Sequence, residues 1–133
     1  MATTLDQVNA ISTQVIGCAM EVHKQLGSIV LESAFRQCLC HELHLRHIPF
    51  ETEMSLPVEY KGLRIETGYR MDLLVCGLVV VELKAVENIL SVHEAQLMTY
   101  LRLGNYPLGL LINYKVKLLR QGIKRFINSK ALA

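Results

Sequence analysis

The sequence predicts a single layered α/β domain (α+β mixed), with helices flanking a central mixed sheet of four to six strands. Three observations predict it. Apolar residues recur at helical spacing through about the first 46 positions. Beyond Ile48-Pro49 the period changes to the alternation of a strand. Two short apolar runs, Tyr69–Val75 and Leu78–Ala85, then read as strands covered on both faces, which requires helices above and below the sheet. With 133 residues, 51% of them apolar, the chain has the size and core of one domain over 1–133.

The elements follow in order. Residues 4–26 read as a helix capped by Thr4, with Val8, Ile11, Val15, Cys18, Ala19, Val22 and Leu26 on one side. Gly27-Ser28 breaks it. A second helix spans 30–46, with Leu31, Ala34, Phe35, Cys38, Leu39 and Leu43 inward, and Ile48-Pro49 ends it. Met54–Tyr60 alternates as a strand before a Lys61-Gly62 turn, and Leu63–Glu66 is a short strand candidate. After the two central strands, Ser91 with Glu94 three residues on predicts a capping box and a helix to Leu103, stopped by Gly104-Asn105. Leu108–Asn113 is a buried strand. Lys117–Leu119 and Ile123–Ile127 fit a strand pair, or a strand and a short helix.

Composition narrows the function classes. No apolar run approaches the roughly 20 residues of a membrane span, so no membrane role is expected. The opening MATTLDQVNA lacks the basic-then-apolar pattern of a signal peptide, and the expected setting is the cytoplasm. Net charge is only +2, but Lys115, Lys117, Arg120, Lys124, Arg125 and Lys130 crowd the last twenty positions, as either a phosphate-facing tail or a solvated face. Cys18, Cys38, Cys40 and Cys76 form no CxxC and read as reduced core residues. A zinc site from Cys38, Cys40, His41, His44 and His47 is disfavoured, because the two cysteines point about 200° apart on a helix.

The chemistry-bearing feature lies in the central hairpin, YRMDLLVCGLVVVELK (69–84). Asp72, Glu82 and Lys84 stand in strands that should be buried, where a carboxylate is costly unless paired or metal-bound. Glu82 and Lys84 face the same way. Asp72 joins them only if position 72 pairs across the hairpin with 80 or 82. A two-residue turn at Cys76-Gly77 pairs it with Val81 instead. A three-residue loop, 76–78, pairs it with Glu82, so that loop with Gly77 left-handed, or an equivalent bulge, is predicted. Two converging carboxylates suit a hard divalent cation, and a lysine two residues on suits phosphodiester hydrolysis by a metal-activated water. A strand-end ion pair of Lys84 with Asp72 or Glu82 is the competing reading.

Asp72 followed by Glu82-Leu83-Lys84 resembles the PD-(D/E)XK nuclease superfamily. Ordered segments extend the likeness over about residues 5–127: EVHKQLG (21–27), LESAF (31–35), LRHIPFE (45–51), LPVEYKG (56–62), YRMDLLV (69–75), VVELKAVE (80–87), HEAQLMTYL (93–101) and LGLLIN (108–113). They resemble the small prokaryotic GxxExxY proteins within it. The resemblance implies a restriction-endonuclease-like core and a magnesium- or manganese-dependent nuclease. It implies Asp72, Glu82 and the Leu83 carbonyl as metal ligands, Lys84 as the catalytic lysine and Glu32 as the helical acid. Gln96 and Tyr100 match its QxxxY motif, and with His93 form a polar stripe on one helix face. Two positions depart from the family name, since Ile29 stands at its Gly and Phe35 at its Tyr.

The implied partner is nucleic acid, DNA ahead of RNA. A core this small would use a homodimer to grip a duplex, although no interface is legible. The alternative is a catalytically idle module that binds nucleic acid or protein on the same fold. The chain has no Trp and few aromatics for stacking on single strands.

Overall fold

The computed structural model describes residues 2–133, the side chain of Thr67 excepted. Helices α1 (Leu5–Leu26) and α2 (Glu32–Leu45) precede strands β1 (Phe50–Tyr60), β2 (Leu63–Val75) and β3 (Val79–Lys84). Helix α3 (Ser91–Gly104), β4 (Leu108–Asn113) and β5 (Ile123–Ile127) complete the order. The strands form one five-stranded sheet in sequence order, antiparallel except for the parallel β3–β4 pair, which α3 connects.

Two apolar clusters sandwich the sheet. Helices α1 and α2 cover one face, where Val15, Val22, Phe35 and Leu39 meet Leu73, Val81, Leu83, Leu110 and Ile112. Helix α3 covers the other, where Leu97, Tyr100 and Leu101 meet Leu74, Val80 and Leu111. Both faces of β3 and β4 are therefore dry, as their unbroken apolar runs require.

Local chemistry accounts for most boundaries. Thr4 caps α1 by accepting the Gln7 N–H while Gln7 Oε1 accepts the Thr4 N–H, a reciprocal box. Asn105, left-handed at φ 55°, closes α3. Two expectations are corrected. The 63–66 and 69–75 segments are one strand, β2, because β1 pairs along its whole length. At the start of α3 the cap is Leu90, not Ser91: its N–H is met by His93 Nδ1 at 3.0 Å, while Glu94 pairs with Lys124 at 2.8 Å. In the C-terminal region the strand-and-short-helix alternative holds rather than the strand pair: a 3-10 helix (Leu119–Gly122) precedes β5.

The β2–β3 loop is what positions the site. Val75 pairs with Val79, Leu74 with Val80 and Leu73 with Val81, leaving the three residues 76–78 in the loop. Gly77 is left-handed at φ 67°, and so is Cys76 at φ 54°. The Leu78 N–H donates to the Val75 carbonyl at 3.0 Å. Two positive φ values in a row make this a primed turn, whose twist matches the hairpin, with Leu78 as the added residue.

Candidate active site

The ladder between β2 and β3 ends at Leu73–Val81, and the next residues, Asp72 and Glu82, open a fork. Inside it carboxylates replace the missing backbone bonds. Glu82 Oε1 accepts the Asp72 N–H at 3.1 Å, and Asp72 Oδ2 accepts the Leu83 N–H at 2.9 Å. The register places the pair opposite each other, and each side chain reaches across to the other strand.

A second irregularity aims Asp72. Met71 and Leu74 both pack against α3, whereas Leu73 and Val75 face α1 and α2, so the alternation of β2 breaks at Asp72. Opposite it on β1, Glu53 is left-handed at φ 51° and interrupts the run of pairs between Thr52–Leu73 and Met54–Met71. Such irregularities re-aim side chains. Arg36 of α2 holds Glu53 at 2.9 Å.

Leu83 buries its side chain completely in the α1–α2 layer. Its N–H points into the fork, and in an extended strand the carbonyl of the same residue faces the same side. The next carbonyl, that of Lys84, points the other way and accepts the Tyr114 N–H at 3.0 Å. Lys84 ends β3 half-buried, and it takes part in none of the ion pairs among the described residues. The strand-end ion pair weighed against the site is therefore not formed.

The electrostatics reflect burial first and neighbouring negative charge second. Burial, reinforced by the charge of Asp72, pushes the Glu82 carboxyl up to about 8, against the downward pull of the Asp72 N–H and Lys84. Glu32, the first residue of α2, also titrates above the ordinary carboxyl range. Burial is the main cause and Asp72 adds to it, while Lys84 and Arg36 oppose. Glu32 thus senses both Asp72 and Lys84 from the opposite helical layer. On α3, Gln96 Nε2 donates to the Tyr100 hydroxyl at 2.8 Å, and the Tyr100 ring meets that of Tyr69 edge-on at 5.4 Å. Burial and then the charge of Glu82 push the Tyr100 phenol up to about 12.

The arrangement therefore gathers Asp72, Glu82, Leu83 and Lys84 at the fork, with Glu32 and Tyr100 in electrostatic contact and Gln96 holding Tyr100. His93 of the expected stripe is spent on capping α3. The Cys38–His47 group stays apart: Cys38 and Cys40 pack against the core, and His41 and His44 stack at 6.4 Å on the outside. Among the described residues no three His, Cys, Asp or Glu side chains converge as a preformed cage.

Sequence reasoning missed Tyr114. Its N–H holds the Lys84 carbonyl, its hydroxyl donates to the Val30 carbonyl at 2.7 Å just before Glu32, and its ring stacks on Phe35 at 4.3 Å. A fully buried aromatic with a polar tip, directly after a buried strand, was the available signal. Arg36 was also missed, although it stands one helical turn from Glu32.

Residues 9–126 match the model of the PD-(D/E)XK nuclease superfamily. The chain belongs to the PD-(D/E)XK nuclease superfamily. Neither curated proteins nor solved structures give a match. For a PD-(D/E)XK chain, the mixed sheet with helices on both faces is the restriction-endonuclease-like arrangement. Among the described residues no helix is long and apolar enough to cross a membrane.

Proposed function

We propose that this chain is a divalent-metal-dependent nuclease that hydrolyses phosphodiester bonds, in DNA ahead of RNA. The observation that carries the reading is the meeting of Asp72 and Glu82 in one fork beside a lysine that enters no ion pair among the described residues. Membership of the superfamily supplies the reaction class. Within that superfamily the ordered segments and Glu32 favour the GxxExxY proteins, acting in the cytoplasm, with a homodimer as the form that grips a duplex.

The donor set fits a hard cation. Asp72 and Glu82 would hold magnesium or manganese with the Leu83 carbonyl, and all three donors are oxygens. Two carboxylates suffice, because such an ion keeps waters and takes substrate oxygens rather than a full protein cage. Its added charge also offsets the burial and the Asp72 repulsion that raise the Glu82 carboxyl. When bound, the ion supplies Lewis-acid polarisation of the phosphoryl group and a more acidic water.

The chain's own groups do the rest. The Lys84 ammonium stabilises charge growing on the phosphate and orients the attacking water. Glu32, a stronger base than an ordinary carboxylate, receives a proton from that water. Attack forms the new P–O bond as the old one breaks; the leaving oxygen takes the electron pair and then a proton from solvent water, and Glu32 returns its own proton to solvent. Tyr100 stays a neutral phenol at the wall, positioned by Gln96.

The test is cleavage of single-stranded, duplex and branched DNA in magnesium. Wild type should cut, and Asp72→Ala, Glu82→Ala and Lys84→Ala should each lose activity by at least about 100-fold, the scale of one transition-state contact. Cleavage that survives in all three variants would sink the reading. Binding of DNA without cleavage by the wild type would put the idle module in its place.

A further inference from the structure

The structure divides the six basic residues of the C-terminal segment. Lys115 is held by Glu87 at 2.7 Å, Lys124 by Glu94 at 2.8 Å, and Arg125 bonds Asn9. Lys117, Arg120 and Lys130 enter no ion pair among the described residues, and a cation from far away in sequence joins the first two. Lys24, at the end of α1, lines the same depression of about 440 Å³, together with Met20, His23, Leu118 and Leu119. All three cations are exposed. Met20 and Leu118, 41% and 46% exposed, put apolar surface between them.

The patch is tied to the catalytic end of the sheet. Strands β3 and β4 are parallel and end together, with Lys84 paired to Asn113. The loop carrying Lys117 and Arg120 leaves from Tyr114, whose N–H is bound to the Lys84 carbonyl. His23 fixes α1 to that loop: its Nε2 lies 3.0 Å from both the Tyr114 and Val116 carbonyls, so this nitrogen carries the proton and donates. Lys24 follows directly in sequence. Hydrogen bonds at Tyr114, Val116 and His23, with the backbone that follows each, thus tie the Lys84 end of the sheet to the segments carrying the three cations.

We propose that Lys24, Lys117 and Arg120 form a track for the phosphodiester backbone of the substrate strand, running away from the Lys84 end of the sheet. Three cations that enter no ion pair among the described residues match a polyanion better than any small anion, because no buried donor closes over them. The proposal rests on the nuclease reading for its choice of ligand.

Its test separates the two. Binding of a fluorescently labelled DNA duplex is followed by anisotropy in EDTA, where cleavage plays no part, across a salt series. The triple variant Lys24→Gln/Lys117→Gln/Arg120→Gln should bind more weakly and show a log–log salt slope shallower by about 2 to 3. Raising salt from about 50 to about 200 mM should then weaken wild type about 40-fold more than the variant. The control Lys124→Gln/Arg125→Gln/Lys130→Gln makes the same charge change and should leave the slope near wild type. Melting curves establish that both are folded. An unchanged slope in the first triple, or an equal loss in the control, would overturn the track. If the slope behaves as expected but magnesium elicits no cleavage, the nuclease reading fails and the track stands.

Discussion

Glu82 is where burial and charge meet most sharply. Its folded carboxyl titrates near 8 against an ordinary value of 4.5, so the folded chain holds this proton more tightly than the unfolded chain does. The sign follows. The stability due to that proton is full below about 4.5 and is lost progressively as pH rises to about 8. In EDTA the melting temperature should therefore fall across that window, beyond any change shared with Glu82→Gln. The glutamine variant keeps an oxygen for the Asp72 N–H but no titration, and its profile there should be flatter. Equal slopes in the two proteins would remove Glu82 as the source. Tyr114 makes a second residue-scale case. Tyr114→Phe keeps the ring on Phe35 and loses the bond to Val30, a cost of about 1 kcal/mol by chemical denaturation. Because Val30 leads into Glu32, cleavage should drop while DNA affinity in EDTA stays near wild type.

At the scale of elements, the β2–β3 register decides whether a site exists. The pairing of Val75 with Val79 puts Asp72 opposite Glu82, and deleting Leu78 leaves Cys76-Gly77 as a two-residue turn between the same two partners, so the register can be kept. We expect the deletion variant to retain both divalent binding, measured by calorimetry, and cleavage. Gly77 at φ 67° carries a cost, and Gly77→Ala should destabilise by about 1 kcal/mol with the register kept. Reading α2 and β1 together explains Arg36: it reaches Glu53, the left-handed residue opposite Asp72, and so braces the break in β2.

For the whole molecule, function and stability should be linked through the fork. An ion bound only by the folded chain stabilises it, by about 2.7 kcal/mol at a hundred times its dissociation constant. Magnesium should raise the melting temperature of wild type and leave Asp72→Ala unmoved. A rise of equal size in both would place the ion elsewhere. Phe35→Ala is expected to cost about 3 to 5 kcal/mol, since Phe35 is fully buried and stacks on Tyr114, so both stability and the site should suffer.

Much of this was legible in one dimension. Helical spacing gave α1 and α2, and the unbroken apolar runs marked β3 and β4 as covered on both faces, because periodicity records which side chains must leave water. The charged exceptions, Asp72, Glu82 and Lys84, stood out against those runs for the same reason. Even the loop parity followed, since side chains alternate with a period of two. What the chain order could not reveal were contacts between segments distant in sequence. The joining of 63–66 to 69–75 depended on β1 as a pairing partner. Glu94 was drawn from its expected cap to Lys124, thirty residues on. Tyr114 gained its place by touching Lys84, His23, Val30 and Phe35 at once. The basic segment divided into paired and unpaired cations only when acids from elsewhere came alongside. Local pattern thus determined the layers and the identity of the charged residues. Tertiary packing decided which charges are neutralised, which carboxylates share a fork and which backbone groups hold Lys84 in place.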